Sequence, residues 1–459
     1  MLKEPWKLVS RGNWRIYPVI YLSFTLLFYV IATVIYPLTN RSHGWIYSLD
    51  FFAELRDAHL ILWGGYQLLY SSGTGLVVPP LGPLSLTPLA FISSAFGLVE
   101  PFPYPIPRPT VLLVAIPYLA IYATLFFYAV RRFVLRFANA KNLFIEVCAT
   151  LVASFALMPW GHVEDVAAVA FAILGYVKLS EGKLRSSSYL FGVAIAFQPF
   201  AVLFVIPTLF MLVHKYRDCV TALVRAAMPT FMVYIPLFVT SPSATISTLL
   251  HQNNFPAVDH LTVVGLLIEQ RNRPIAAGPL RLLLVVFVIA ASLILRNLRR
   301  DSIHSYGEVF LIVGLISAGR IFVEPVMVPY YVVPTMVYLL LAGVFFKSHV
   351  KVRTLAILVA SFISFYLTSI RISAVAYSAF VYSEVVIVAA VSSMWYLRFS
   401  LRSEVNRQLI TPYSFGELSL VEGGGPPRSS RNRFGVATSE EAIDIDGVSS
   451  GGLSGGNES

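Results

Sequence analysis

Long apolar runs, broken by short basic clusters, leave this chain few ways to fold. A helix needs roughly 20 apolar residues to cross the hydrocarbon core of a bilayer. Runs of about that length recur at 16–36, 110–130, 143–160, 165–179, 226–240, 280–296, 308–320, 328–346, 354–370 and 375–397. Where a run is short, its helix is expected to extend into the flanking loop, and 308–320 carries the least apolar signal. Of the 459 residues, 57% are apolar and 13% charged, against roughly 25% charged in a soluble domain. The mean hydropathy is +0.72. The expected fold is an all-α polytopic membrane protein with about ten transmembrane helices.

Two apolar stretches do not fit simple crossings. Residues 189–213 have Lys183 and Arg185 on one side and Lys215, Arg217 and Arg225 on the other. One crossing would put one of these clusters outside. Gln198-Pro199 lies mid-run, where Pro removes a helix hydrogen bond. The pattern predicts a hairpin of two half-helices with both ends cytoplasmic. A crossing at 76–98 would invert everything after it, so that stretch is read as re-entrant, kinked around Pro79-Pro80 and Pro83. Irregular backbone at membrane depth is tolerated where protein or a water-filled cavity covers it.

This topology can be checked against charge. With the N-terminus inside, 26 of the 34 Lys and Arg residues fall inside and 8 outside, as the positive-inside rule requires. The same distribution explains the net charge of +10 without nucleic acid: the basic residues lie in short clusters between apolar runs, not in a stripe on a soluble face. Lys3, Lys7, Arg11 and Arg15 precede the first run, which is too long for a signal-peptide core and is read as an uncleaved span. Cys148 and Cys219 form no CxxC pair or disulfide framework and read as small buried residues. The domain reading is a membrane body, 1–402, with a large first outer loop at 37–109, and a tail, 403–459. That tail, rich in Gly and Ser with Pro426-Pro427 and an acidic stretch, has too little apolar surface to fold. It is expected to be a disordered cytoplasmic segment. N- and C-termini are both expected to be cytoplasmic, in a cell membrane.

Polar residues gather on the outer side. Asp50, Glu54 and Asp57 are spaced i, i+4, i+7 on a short predicted helix and share one face. Either chemistry uses these acids, or the segment is an amphipathic surface helix with Phe51, Leu55 and Ala58 toward lipid. The turn Gly161-His162-Val163-Glu164-Asp165 joins two spans. Its acids suit a helix N-terminus, so capping is the plain alternative to a binding role. Arg320 and Glu324 are spaced for an ion pair, either structural or functional. The outer loop 241–279 adds His251, His260, Arg271 and Arg273 among its polar residues. No spacing has a metal-ligand signature, no HExxH or GxSxG occurs, and the absence of a Walker loop argues against a nucleotide-driven pump.

In order along the chain, these features resemble the GT-C superfamily of polyprenyl-phosphate-sugar-dependent glycosyltransferases, and most of all its prokaryotic alpha-mannosyltransferase branch. The residues that carry the resemblance are Asp50 in Leu49-Asp50-Phe51, the turn from Gly65 to Leu69-Tyr70, and Pro79-Pro80-Leu81 with Pro88-Leu89. They continue with Gly161 to Asp165, then Gly192 to Ala196 before the Gln198-Pro199 break, and end with Glu324-Pro325, Tyr330-Tyr331 and Pro334. Gln198 stands where many members carry a basic residue.

The resemblance implies transfer of a sugar, mannose in that branch, from a polyprenyl phosphate to a lipid or glycan acceptor on the outer face. The reaction inverts the anomeric centre and needs neither metal nor cofactor. Asp50 or Asp57 is the implied general base. Arg320, Arg271 and Arg273 are the candidates for holding the donor phosphate, and His162, Glu164, Asp165, Glu324 and Tyr330 for binding acceptor and sugar. The competing reading is a polytopic transporter or flippase, which should show inverted repeats and mid-membrane charge. Neither stands out, Glu384 being the main mid-run acid. An assembly role would leave the acid-rich outer loops unexplained.

Overall fold

The computed structural model describes residues 49–66, 69–70, 79–98, 112–137, 143–251, 279–298, 305–324 and 331–345, with the single position 23. These residues form twelve α-helices and no strand among them. The helices are α1 (Leu49–Leu62), α2 (Leu81–Ala95), α3 (Leu112–Phe137), α4 (Leu143–Trp160), α5 (Val163–Ser180) and α6 (Leu184–Phe197). They continue with α7 (Val202–Leu212), α8 (Tyr216–Thr240), α9 (Pro242–His251), α10 (Pro279–Leu298), α11 (Tyr306–Val323) and α12 (Val332–Ala342). The expected spans at 16–36, 354–370 and 375–397 and the tail lie outside the described residues. The other seven expected spans fall on α3, α4, α5, α8, α10, α11 and α12. Two of the helices, at Val114–Phe137 within α3 and Tyr216–Thr240, are long and apolar enough to cross a membrane.

α5 is the centre of the bundle. Its small residues Ala167, Ala168, Ala170, Ala172 and Gly175 are buried and let neighbouring helices approach closely. A Cβ on Gly175 would lie 2.5 Å from the Phe191 ring of α6. α3 and α6 flank α5, α6 lies in turn against α8, and α11 pairs with α12. An aromatic cluster of Phe133, Tyr176, Phe204, Phe310 and Tyr338 joins α3, α5, α7, α11 and α12. α11, the weakest expected span, begins with a reciprocal cap. Glu308 N–H donates to the Ser305 hydroxyl at 3.3 Å, and the Ser305 N–H to the Glu308 carboxylate at 3.0 Å.

The segment expected to be a hairpin does break at Gln198, whose backbone is extended. A short 3-10 turn, Pro199–Ala201, then leads into α7. Both halves pass the level of Tyr176: its ring meets Phe191 on α6 edge-on, and its hydroxyl accepts from Thr208 on α7 at 2.6 Å. The chain therefore runs along α5, turns at Gln198 and comes back.

Prolines in the 76–98 segment act differently from the expected kink. Pro79-Pro80 precede α2 and Pro83 lies in its first turn, where a missing N–H costs nothing. Pro88 sits inside the continuous helix and leaves the Leu84 carbonyl without its backbone donor. The Thr87 hydroxyl donates to that carbonyl at 2.8 Å.

α1 is not an amphipathic helix lying on a surface. Phe51, Leu55 and Ala58 are buried in the protein core, and so are Glu54 and Asp57. The carboxylates enter the interior because α2 covers this helix and the α4–α5 turn touches it. Large apolar side chains instead stand outward on α8 and α10, among them Met228, Phe231, Ile235, Leu283 and Phe287.

Candidate functional site

The tight turn between α4 and α5 positions the first part of the site. Gly161 has φ +66°, a conformation that L side chains rarely adopt. A Cβ there would lie 2.2 Å from the Cβ of Phe51. The glycine thus sets α1 directly against the turn. His162 and Glu164 follow, and His162 Nδ1 lies 2.5 Å from Glu164 Oε1 and 3.7 Å from Asp165 Oδ2. All three side chains are buried. Glu54 reaches this turn from α1. One donor atom each from Glu54, His162 and Glu164 lie within 4.8 Å of one another.

The break after α6 supplies the next contact. The Gln198 side-chain amide donates to Asp165 Oδ1 at 2.9 Å. A helix running on past Phe197 would bond its own backbone there; the break presents a polar side chain to the turn instead.

The C-terminal end of α11 completes the arrangement. Arg320 Nε donates to Glu324 Oε1 at 2.6 Å, and Arg281 at the start of α10 donates to the other oxygen of the same carboxylate. The Arg320 guanidinium lies 4.1 Å over the Phe200 ring and 4.3 Å over that of Tyr331, contacts worth about 0.5–2 kcal/mol each. It also feels the charge of Asp165. Burial alone would raise the Glu324 pKa, but the two arginines hold it below the ordinary carboxylate range.

Asp57 and His59 form a second polar group on α1. Burial pushes the Asp57 carboxyl up to about 7, against the opposing pull of Arg56, whose guanidinium lies 3.4 Å away. Burial likewise holds His59 down to about 4, and its Nδ1 lies 3.2 Å from the Ser94 hydroxyl of α2. Nearby, Tyr70 donates to the Tyr234 hydroxyl at 3.3 Å and Tyr66 to the Val233 carbonyl at 2.8 Å, tying the segment after α1 to α8.

The structure therefore joins His162, Glu164 and Asp165, with Gln198, in one bonded polar group, and the Arg320–Glu324 pair lies near enough for Arg320 to feel the charge of Asp165. Asp57 takes part in none of these network contacts. The Asp50 backbone begins α1, while its side chain, Arg271, Arg273 and Tyr330 lie outside the described residues. Glu54, Arg281, Phe200 and Tyr331 lie beside these residues although none of the four was among the expected site residues. Glu54 was visible as the middle acid of its face, and Tyr331 as the second ring of Tyr330-Tyr331. Nothing in the sequence marks Phe200 as a platform for a guanidinium. No protein-family model matches the chain, and no curated protein sequence does either.

Proposed function

We propose that the chain is a multi-pass membrane glycosyltransferase. It transfers a sugar, mannose by the resemblance, from a polyprenyl phosphate to a lipid or glycan acceptor on the outer face, with inversion. One observation carries the reading. The GHVED turn and the polar-Pro break are separate in sequence and are bonded to each other, the Arg320–Glu324 pair lies within reach of the charge of Asp165, and α1 is set against the turn. Charged groups in a dry interior are expensive, and such networks are a common signature of chemistry.

The parts suit the reaction. Asp50 or Asp57 removes the proton from the acceptor hydroxyl as its oxygen attacks the anomeric carbon. The bond from that carbon to the phosphate oxygen breaks, and the polyprenyl phosphate leaves. A carboxyl with a pKa of about 7, as at Asp57, is well matched to proton transfer near neutrality. Arg320 and Arg281 share one carboxylate, which leaves a positive surplus for the departing phosphate; Arg271 and Arg273 belong to the same outer loop region. The acids and Tyr330 hold sugar and acceptor hydroxyls. The outward apolar faces of α8 and α10 suit lipid contact, and the cytoplasmic termini follow from the charge distribution.

The experiment is transfer of label from radiolabelled polyprenyl-phosphate sugars to lipid or glycan in membranes carrying the chain. Mannose should label and the D50N or D57N variant should lose about 10²- to 10⁴-fold in rate. If both variants transfer normally, the base is elsewhere and the reading loses its main support.

A further inference from the structure

We infer that Glu54, His162 and Glu164 form a site for one divalent transition-metal ion, Mn²⁺ or Zn²⁺ by the chemistry of the donors. Its residues His162 and Glu164 also belong to the sugar- and acceptor-binding group of the glycosyl-transfer reading, but the ion is inferred from their geometry and not from that reading.

Geometry is the first support. One oxygen from each glutamate and one imidazole nitrogen lie within 4.8 Å of each other. Such donors bind zinc at roughly 2.0–2.2 Å, so they stand about 3–3.5 Å apart around an ion. An ion would replace the 2.5 Å contact between His162 and Glu164 and draw in the donors that now lie up to 4.8 Å apart. All three side chains are buried, on helix and tight-turn backbone and not on a long loop.

Asp165 provides a second, independent observation. One of its oxygens accepts from Gln198. The other, Oδ2, is buried without a hydrogen-bond partner and lies 3.7 Å from His162 Nδ1. Glu164 Oε2 is likewise buried and accepts no hydrogen bond. Buried carboxylates are normally paired or coordinated to metal. Two of them, Glu164 and Asp165, share a single imidazole here. A divalent cation supplies the missing positive charge and joins α1 to the α4–α5 turn.

The donor set also selects the ion. Carboxylates alone suit Mg²⁺ and Ca²⁺; an imidazole among them shifts preference to transition metals. A metal-bound imidazole must be neutral, so binding weakens as His162 protonates.

The test uses the full-length chain purified in detergent, stripped with chelator and reloaded with Mn²⁺. Elemental analysis should find about one ion per chain, and chelation should lower the unfolding temperature, because an ion that binds only the folded state stabilises it. Electron paramagnetic resonance should show coupling of Mn²⁺ to an imidazole nitrogen, lost in H162Q. E54Q and E164Q should each weaken binding by at least about 10- to 100-fold. Wild-type protein alone can decide, whether or not a variant folds. Failure of the wild type to retain Mn²⁺ or Zn²⁺ overturns the proposal, with shared protons then holding the carboxylates together. So does binding that survives unchanged in both H162Q and E164Q, which marks an adventitious ion only. Metal-loaded wild-type protein that transfers no sugar would count against the enzyme reading and leave this site standing.

Discussion

Gln198 and Asp165 are joined by a 2.9 Å hydrogen bond at the point where one helix is broken and another begins. The bond ties the tip of the α6–α7 hairpin to the α4–α5 turn. In Gln198→Leu the Asp165 oxygen is left buried without its donor, which costs about 1–3 kcal/mol. Thermal unfolding in detergent should show the loss. Gln198→Glu should be worse, because it sets two carboxylates together; a Gln198→Glu protein as stable as wild type would mean that water has replaced the contact.

Asp57 and His59 make opposite demands on pH. Folding raises Asp57 from 3.8 to about 7, so between those values the folded chain holds a proton that the unfolded chain has released. Stability from this group falls as pH rises. Folding lowers His59 from 6.5 to about 4. In that interval the unfolded chain holds the extra proton, and stability rises with pH. From about pH 4 to 6.5 the two slopes oppose and should nearly cancel. Asp57→Asn should expose the rising slope of His59, and His59→Gln the falling slope of Asp57. Denaturation followed across this window should give the two variants slopes of opposite sign; a flat response in either variant would mean that the group it retains titrates normally.

Gly161→Ala should destabilise the chain by at least about 1–2 kcal/mol through its left-handed backbone alone. The contact with Phe51 adds to that cost. Because Phe51→Gly also removes the Phe51 Cβ that the new methyl group would meet, the double variant should be less destabilised than the two single effects added together. Additive effects in unfolding measurements would show that α1 does not rest on the turn.

Arg320→Ala should weaken use of the lipid-linked donor far more than Arg371→Ala, since Arg320 bonds Glu324 and lies over two aromatic rings. Arg281→Ala should resemble Arg320→Ala, because both arginines share that carboxylate. The readout is the dependence of transfer rate on donor concentration. Equal effects at 320 and 371 would remove the phosphate role.

The helices were the legible part of this chain. Apolar length and proline position predict α4 at 143–160 and the break at Gln198-Pro199 because both are local properties. The fate of α1 was not local. Its i, i+4, i+7 acids fit a wet surface helix or a buried one equally well, and only the distant α2 and α4–α5 turn decide between them. The grouping of Glu54 with His162 and Glu164 was hidden for the same reason, since a spacing rule reads ligands along one segment. Arg320 and Glu324 were legible as a pair at i, i+4. That Arg281 completes them depends on how α10 packs against α11.

Setting α1 against a turn encoded much later has a consequence for biogenesis. Chains grow at about 5–20 residues per second, so the roughly hundred residues between Leu62 and the His162 turn take on the order of 5–20 s to make. Throughout that interval the acids of α1 have been synthesised and the α4–α5 turn that helps to enclose them has not. Glu54 and Asp57 must remain hydrated, or sheltered by the insertion machinery, until α4 and α5 arrive. A ribosome that stalls after α3 would leave this helix without its lid, a bare acidic segment open to quality-control proteases.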